Sequence, residues 1–369
     1  MTSGQLEIQA IAVVTAAACA LVGMFLVLRR TSLLSDAIGH SVLVGIVLAF
    51  FVTGTTTSPL LLVAAAATGV VTVALVDLVV RTRLVREDAA IGLVFPTLFS
   101  IGVILVSRYA DGVHLDTDAV LLGELAFAPF DRLVIGDFDL GPTSLVVMSV
   151  VLVVVLLAVA LIWKELALTT FDPALALALG FAPTLVNYVL MSLVSVTTVG
   201  AFNAVGSILV VALMIAPGAT AYLLTDSMKM MAALSVAIGV GCAIGGYWLS
   251  YAVDASIAGC MAAMCGAAFA VVWALGPRRG LLTAARRRAR QKLEFAETML
   301  AIHLAHHEAL PEAAVENRVA NLNHHLGWSD QVVAQVVRSA ENRGLVVQRD
   351  GMLALTETGR ALAGEALVR

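Results

Sequence analysis

Two ionisable side chains interrupt an apolar run near the N-terminus, in the stretch Ser35-Asp36-Ala37-Ile38-Gly39-His40-Ser41. In a helix, residues four apart lie on one face, one turn above the other. Asp36 and His40 would then present a carboxylate and an imidazole together, a pair suited to a divalent transition metal. Ionisable groups within a membrane span are costly and usually face a protein interior or a water-filled path. Gly39 and Gly45 predict close approach of another helix, or of an ion, to this backbone. A second reading stays open. Ser35 and Asp36 are good N-cap types, and Arg29-Arg30 set this end near a membrane surface, where His40 would only meet a backbone carbonyl.

A second candidate lies in residues 165–182. Asp172 fits an N-cap, Pro173 the first helical position and Gly180 the C-terminal stop. The spacing predicts a capped helix of about two turns, too short to span a bilayer. It is suited to docking on a soluble partner or to serving as a plain connection. A third candidate is His303 with His307, again four apart, within a tail that also holds His306, His324 and His325. These offer a regulatory metal site or a solvated histidine surface, and spacing places no acidic or Cys partner beside them.

The elements that must position these groups follow from composition. The chain has 369 residues, 60% hydrophobic and 13% charged, against roughly a quarter charged in a soluble domain. Apolar runs near the ~20 residues that a bilayer core requires recur along it. They predict spans at 8–28, 33–52, 59–80, 89–107, 142–163, 183–198, 202–224, 230–250 and 254–275. The first run ends in Arg29-Arg30 and lacks a signal-peptide cleavage pattern, so it reads as a retained span. Pro217-Gly218 predicts an interruption within 183–224.

Residues 1–277 carry nine Lys/Arg and sixteen Asp/Glu, and residues 278–369 thirteen and ten. That switch predicts a membrane domain over 1–277, a basic juxtamembrane linker over 278–292 and a soluble domain over 293–369. Every second loop is basic: Arg29 and Arg30, then Arg81, Arg83 and Arg86, then Lys164, then Lys229. The intervening loops are neutral or acidic, above all 108–141. By the positive-inside rule the N-terminus is outside and the C-terminus cytoplasmic, in the inner (plasma) membrane. Asp77 and Asp226 are expected to snorkel to the interface. Cys19, Cys242, Cys260 and Cys265 lie in apolar runs and read as buried free thiols.

Three segments together resemble the permease subunits of ABC importers for zinc, manganese or iron ions. They are Arg29-Arg30-Thr-Ser-Leu-Leu-Ser-Asp36-Ala-Ile-Gly-His40, then Phe171-Asp172-Pro173 with Ala178-Leu179-Gly180, then Val205-Gly206 through Ala212-Leu213-Met214-Ile215-Ala216-Pro217-Gly218-Ala219-Thr220-Ala221. Their order and spacing agree over roughly residues 5–275. The resemblance implies a metal path shaped by Asp36 and His40, and an ATPase-coupling segment at Phe171, Asp172, Pro173, Leu179 and Gly180. It also implies a separate ABC ATPase subunit, a second permease subunit (a copy or a paralogue) and an extracytoplasmic metal-binding protein. The ions are cargo, with no cofactor permanently bound. The chain departs from the family pattern at Ser41, Val44, Asn203, Gly218 and Tyr222. It contains no GxxxxGK[ST] phosphate loop, so no ATP hydrolysis, and no enzymatic activity, is expected of it.

In the tail, Arg286, Arg287, Arg288, Arg290 and Lys292 suit anionic membrane lipids. Helices are expected at 293–307, 312–325 and 329–342, the third capped by Ser329 or Asp330 and ended by Gly344. A hairpin turning at Asp350-Gly351 and a last helix from Glu357 follow. With the Leu355-to-Gly359 run, this order resembles the winged-helix domain of metal-dependent repressors of the diphtheria-toxin-repressor type. DNA contact through 293–369 would then fall on helix 329–342, with Arg338 and Arg343 offset by Asp330 and Glu341. The expected fold class is an all-α polytopic membrane protein of eight to nine transmembrane helices with a small cytoplasmic winged-helix domain. Two functions compete, a metal-ion permease and a membrane-anchored metal-responsive transcriptional regulator, with an ATP-independent secondary transporter as a third.

Overall fold

A computed structural model describes residues 2–54, 59–109, 125–135, 138–308, 310 and 313–368. Asp111, Asp116, Asp118, Glu124 and Asp137 of the acidic loop, and Thr55 to Ser58 of the neutral one, lie outside the described residues. The chain divides into two compact units, Met1–Gly280 and Leu281–Arg369.

The first unit runs α1 (Ser3–Arg29), α2 (Leu33–Thr53), α3 (Pro59–Arg81), α4 (Glu87–Tyr109), the strands β1 (Arg132–Ile135) and β2 (Phe138–Pro142), and α5 (Thr143–Leu161). It continues with α6 (Trp163–Phe171), α7 (Pro173–Ala178), α8 (Pro183–Val205), α9 (Ser207–Leu224), α10 (Met228–Val253) and α11 (Ile257–Leu275). Among the described residues nine helices, α1–α5 and α8–α11, are long and apolar enough to cross a membrane.

Helix α1 is apolar all round, the pattern of a helix enclosed by others. It packs on α5, α8, α9 and α10, and its Ile11, Met24, Phe25 and Leu26 are fully buried. Where lipid is as apolar as the side chains, helices associate by close van der Waals packing, which small residues allow. A Cβ on Gly23 would lie 1.9 Å from the Met214 carbonyl oxygen, and one on Gly218 would lie 3.0 Å from Met24 Cα. The two glycines thus let α1 and α9 meet backbone to backbone. Gly23→Ala is expected to destabilise the unit by about 3 kcal/mol, the upper end of overpacking costs. A fall in the thermal unfolding midpoint of the purified protein checks this; an unchanged midpoint would contradict the contact.

The interruption within 183–224 is real, but it falls at Gly206 rather than at Pro217-Gly218. Gly206 has φ 78° and ψ 164°, open to glycine and rarely to other residues, and it separates α8 from α9. Pro217 stays inside α9. Proline removes one backbone donor, a loss that a packed membrane helix tolerates, and Gly218 beside it serves the approach to α1.

Polar contacts show which loops share an end of this unit. At one end Arg132 bonds Asp139 at 2.6 Å and Glu7 at 3.2 Å, joining the start of α1 to the β1–β2 hairpin. At the other, Asp77 pairs with Arg81 at 2.8 Å and accepts from Tyr188 Oη at 3.3 Å. Asp226 pairs with Arg278 at 3.0 Å and with Arg279 at 2.6 Å. Asp77 and Asp226 are therefore ion-paired rather than reaching the interface alone. Arg279 also lies over the Tyr222 ring, 4.2 Å from its centre.

In the second unit, α12 (Leu281–His307) begins twelve residues before the expected 293, so the basic run 286–292 is helical and exposed. The expected helix 312–325 is instead three short pieces: α13 (Ala313–Glu316), a 3-10 turn (Val319–Asn321) and α14 (Leu322–Leu326). Tertiary pairing overrides helix propensity there. Arg318 bridges Met352, Leu353 N–H donates to the Asn317 carbonyl, and Val319 N–H donates to that of Gly351. Then come α15 (Asp330–Asn342), the antiparallel strands β3 (Val346–Arg349) and β4 (Met352–Leu355), and α16 (Glu357–Val368). Ser329 is the N-cap of α15, without a side-chain capping bond.

Asp350 and Gly351, at φ 49° and 76°, make the tight turn, as an Asp-Gly pair with two positive φ values should. Helix α15 buries Val333, Val336, Val337 and Ala340, the i, i+3, i+4, i+7 stripe of an amphipathic helix. A Cβ on Gly359 would strike the Leu345 carbonyl oxygen at 2.1 Å. That approach explains the glycine in the Leu355-to-Gly359 run.

Candidate functional site

Asp36 and His40 stand one turn apart on α2, with Nε2 3.4 Å from Oδ1 and side chains 43% and 28% exposed. The N-cap of α2 is Ser32, so Asp36 sits inside the first turn and does not cap the helix. The His40 ring lies 6.0 Å from that of Phe95 and 5.9 Å from that of Phe99, both on α4. Two phenyl rings thus back an imidazole whose partner is a half-exposed carboxylate. The pair keeps free lone pairs at an accessible edge of an apolar bundle, the arrangement that a weak, reversible cation contact requires.

The opposite side of α2 is locked by small residues and hydroxyls. A Cβ on Gly45 would meet Thr68 Oγ1 at 2.1 Å and the Ala64 carbonyl oxygen at 2.6 Å. Thr72 Oγ1 donates to Ser41 Oγ at 2.7 Å, and Ser195 Oγ on α8 donates to the Ala66 carbonyl at 2.8 Å. Gly39 differs from expectation: its Cβ would make only ordinary contact, 3.6 Å from Thr198 Cγ2. Its backbone is not closely approached by a helix.

The capped helix expected from Asp172 to Gly180 is present, and a further short helix, α6, precedes it. After α6, the Asp172 side chain accepts from Leu175 N–H at 2.9 Å and caps α7, with Pro173 as its first residue. Gly180 closes it at φ 87°, and Phe181 N–H reaches back to the Ala176 carbonyl, the Schellman pattern. Ala176 is buried, whereas Phe171, Leu177 and Leu179 are each more than 60% exposed. A rigid, capped turn therefore holds large apolar side chains outward.

Arg29 anchors that turn, through contacts that motif spacing alone does not disclose. Its guanidinium donates to Thr170 Oγ1 at 3.1 Å, Thr169 Oγ1 at 3.1 Å and Asn187 Oδ1 at 2.8 Å. One planar fork thus ties α1 to the end of α6 and the start of α8. Only the basic pair hints at it, because its partners lie about 140 and 158 residues away.

In the second unit His303 and His307 lie one turn apart, ring centres 4.8 Å apart and planes tilted by 55°. The fold adds two residues that spacing misses. Glu316 brings a carboxylate oxygen within 4.8 Å of ligand atoms of both histidines, and His325 Nε2 lies 2.9 Å from Glu316 Oε2. Burial pushes the His303 imidazole below the ordinary histidine value, against a weaker opposing pull from its contact with the Glu316 carbonyl. Arg343, a candidate phosphate contact, is paired instead with Glu297, which is buried.

Residues 6–276 match the family model described as the ABC 3 transport family. The chain is 48% identical over 358 residues to the zinc transport system membrane protein TroD of Treponema pallidum, covering 97% of each. It is 44% identical over 271 residues to the manganese transport system membrane protein MntD of Bacillus subtilis, covering 73% of this chain and 92% of that one. Among solved structures it resembles PsaBC from Streptococcus pneumoniae in complex with Fab, at TM-score 0.64 and 26% identity, covering 77% of this chain and 96% of that chain. This multi-pass membrane protein belongs to the ABC 3 transport family.

Proposed function

We propose that the chain is the membrane permease of an ATP-driven importer for divalent transition-metal ions of the zinc, manganese or iron class. The observation that carries this reading is the accessible Asp36–His40 pair, 3.4 Å apart inside an apolar bundle. A carboxylate with an imidazole suits all three ions, and the relatives named for zinc and manganese transport fall within that class. The energy comes from a separate ATPase subunit, which docks on the capped turn 171–180 through Phe171, Leu177 and Leu179. A second permease subunit completes the pathway, and an extracytoplasmic binding protein delivers the ion. The two-permease arrangement draws support from the likeness to PsaBC.

The orientation we propose has residue 1 outside and residue 369 in the cytoplasm. Loops bearing Arg29, Arg81 and Arg278 then lie inside and the β1–β2 hairpin outside, as the positive-inside rule requires. The second unit is read as a winged helix: α12, the pieces from 313 to 326, α15, the hairpin and α16 follow that order, with a single bridge from Arg318 to Met352 beside the hairpin. As a DNA reader it is poorly equipped. Arg343 is taken by Glu297, and the outer face of α15 offers Gln331, Gln335, Arg338 and Asn342 with a single cation among them.

Deleting residues 281–369 separates a permease from a membrane-anchored regulator. The expected result is a chain that still inserts and still carries metal into cells at a measurable rate. Complete loss of transport from a stably inserted, truncated chain would overturn the reading.

A further inference from the structure

We propose that the second unit carries a metal site of its own, a zinc-type centre formed by His303, His307, Glu316 and His325. It stands independently of the transport reading, because all four ligands lie within residues 281–369 and none is shared with Asp36 or His40.

The four groups come from three pieces of chain that the fold brings together. His303 and His307 project from the last two turns of α12, Glu316 from the end of α13 and His325 from α14. Ligand atoms of His303, His307 and Glu316 all lie within 4.8 Å of one another. The His325 ring stands 6.0 Å from that of His303. Ligands about 2.0–2.2 Å from a tetrahedral ion lie roughly 3.4 Å apart, so closure onto an ion asks for about an ångström of side-chain adjustment.

Unpaired hydrogen-bonding capacity, complete at His307 Nδ1, points to a ligand rather than to a self-satisfied polar cluster. His307 Nδ1 and Glu316 Oε2 are buried, and neither has a hydrogen-bond partner among the described residues. Buried polar atoms are ordinarily paired, because leaving them unpaired is costly. Glu316 Oε2 does lie 2.9 Å from His325 Nε2, but without hydrogen-bond alignment. That contact brings a carboxylate oxygen and an imidazole nitrogen to one point, beside the unpartnered His307 Nδ1.

The donor set selects the ion. Three imidazoles and one carboxylate are borderline ligands that suit zinc in a closed four-coordinate site, whereas magnesium and calcium prefer all-oxygen shells. An ion there would tie the end of α12 to the segment that lays residues 317–319 beside β4. Occupancy would then couple the unit's fold to the surrounding level of zinc.

The test uses the full-length chain in detergent, with Asp36→Ala and His40→Ala present so that ions at that pair are not counted. After exposure to Zn2+ and desalting, one zinc per chain is expected by elemental analysis. Adding His303→Ala and His307→Ala should weaken binding at least ~100-fold, since even outer-shell changes around metals cost 10–100-fold. His324→Ala, at an exposed histidine outside the cluster, should leave binding intact. No zinc in the parent, or equal affinity in the His303/His307 variant, would overturn the site. In case that variant misfolds, the unsubstituted protein gives a second measure. Zn2+ should shield His303 and His307, and not His324, from carbethoxylation mapped by mass spectrometry. Equal labelling with and without Zn2+ would overturn the proposal as well.

Discussion

Replacing Asp36 and His40 together with alanine is expected to abolish metal uptake while leaving the chain inserted in the membrane. Their side chains are the carboxylate and imidazole that share one exposed edge of α2, and Phe95 and Phe99 behind His40 offer an ion nothing comparable. A cation crossing this region without them would shed water with no replacement ligands. Loss of outer-shell support alone costs metal sites 10–100-fold, so removing both proposed ligands should reduce uptake by more than about 100-fold. Insertion should persist because the closest packing that holds α2 does not rest on these side chains, although His40 meets the Phe95 and Phe99 rings of α4. That packing falls to Gly45, Ser41 and Thr72 on the opposite side. Radioactive zinc or manganese uptake, normalised to chain in the membrane fraction, measures the effect. Asp36→Asn alone should retain part of the activity, since it keeps the shape and loses the charge. Normal uptake in the double variant would remove the pair from the pathway.

Arg29→Ala is expected to uncouple ATP hydrolysis from transport. Three hydrogen bonds from one guanidinium fix the end of α6 and the start of α8 to α1. A hydrogen bond to a charged group contributes about 1.5–3 kcal/mol. Losing three should free the turn 171–180 by at least about 3 kcal/mol relative to α1, even after partial rehydration. The exposed Phe171, Leu177 and Leu179 would still meet a partner, but movement there would no longer reach α1. Transport per ATP hydrolysed should fall by at least ~100-fold, as 3 kcal/mol implies, with hydrolysis by the assembled complex continuing. Arg29→Lys should rescue poorly, because a point charge cannot reproduce a planar fork with several donors. Unchanged transport per ATP in Arg29→Ala would show that this anchor carries no coupling.

Features set by local chemistry are legible in the amino-acid sequence. Run length and composition disclose the apolar helices, since a bilayer demands that many consecutive apolar residues. Asp172, Pro173 and Gly180 disclose a capped helix because each acts on its own backbone. Asp350-Gly351 discloses the hairpin turn for the same reason. What stays hidden depends on distant partners. The break in 183–224 follows the backbone at Gly206, whereas proline chemistry points to Pro217. The helix expected at 312–325 gives way because residues 317–319 pair with the hairpin some thirty residues on. The β1–β2 hairpin falls within a stretch whose acidic composition signals only a loop.

The candidate sites divide in the same way. Asp36 with His40, and His303 with His307, are i, i+4 pairs that any helix brings together. Phe95, Phe99, Glu316 and His325 join them only after the chain has folded, and periodicity carries no signal for that. The contacts of Arg29 belong to this second group, although its place in a basic pair marks it.

The most direct test of the permease reading is ion accumulation in sealed proteoliposomes holding this chain and the proposed ATPase partner. With the ATP-hydrolysing face and the binding protein on opposite sides of the membrane, zinc or manganese should accumulate only when ATP is supplied. Accumulation should disappear in the Asp36→Ala/His40→Ala chain. Equal accumulation without ATP or without the ATPase, driven by an ion gradient alone, would contradict the account and make the protein a secondary transporter.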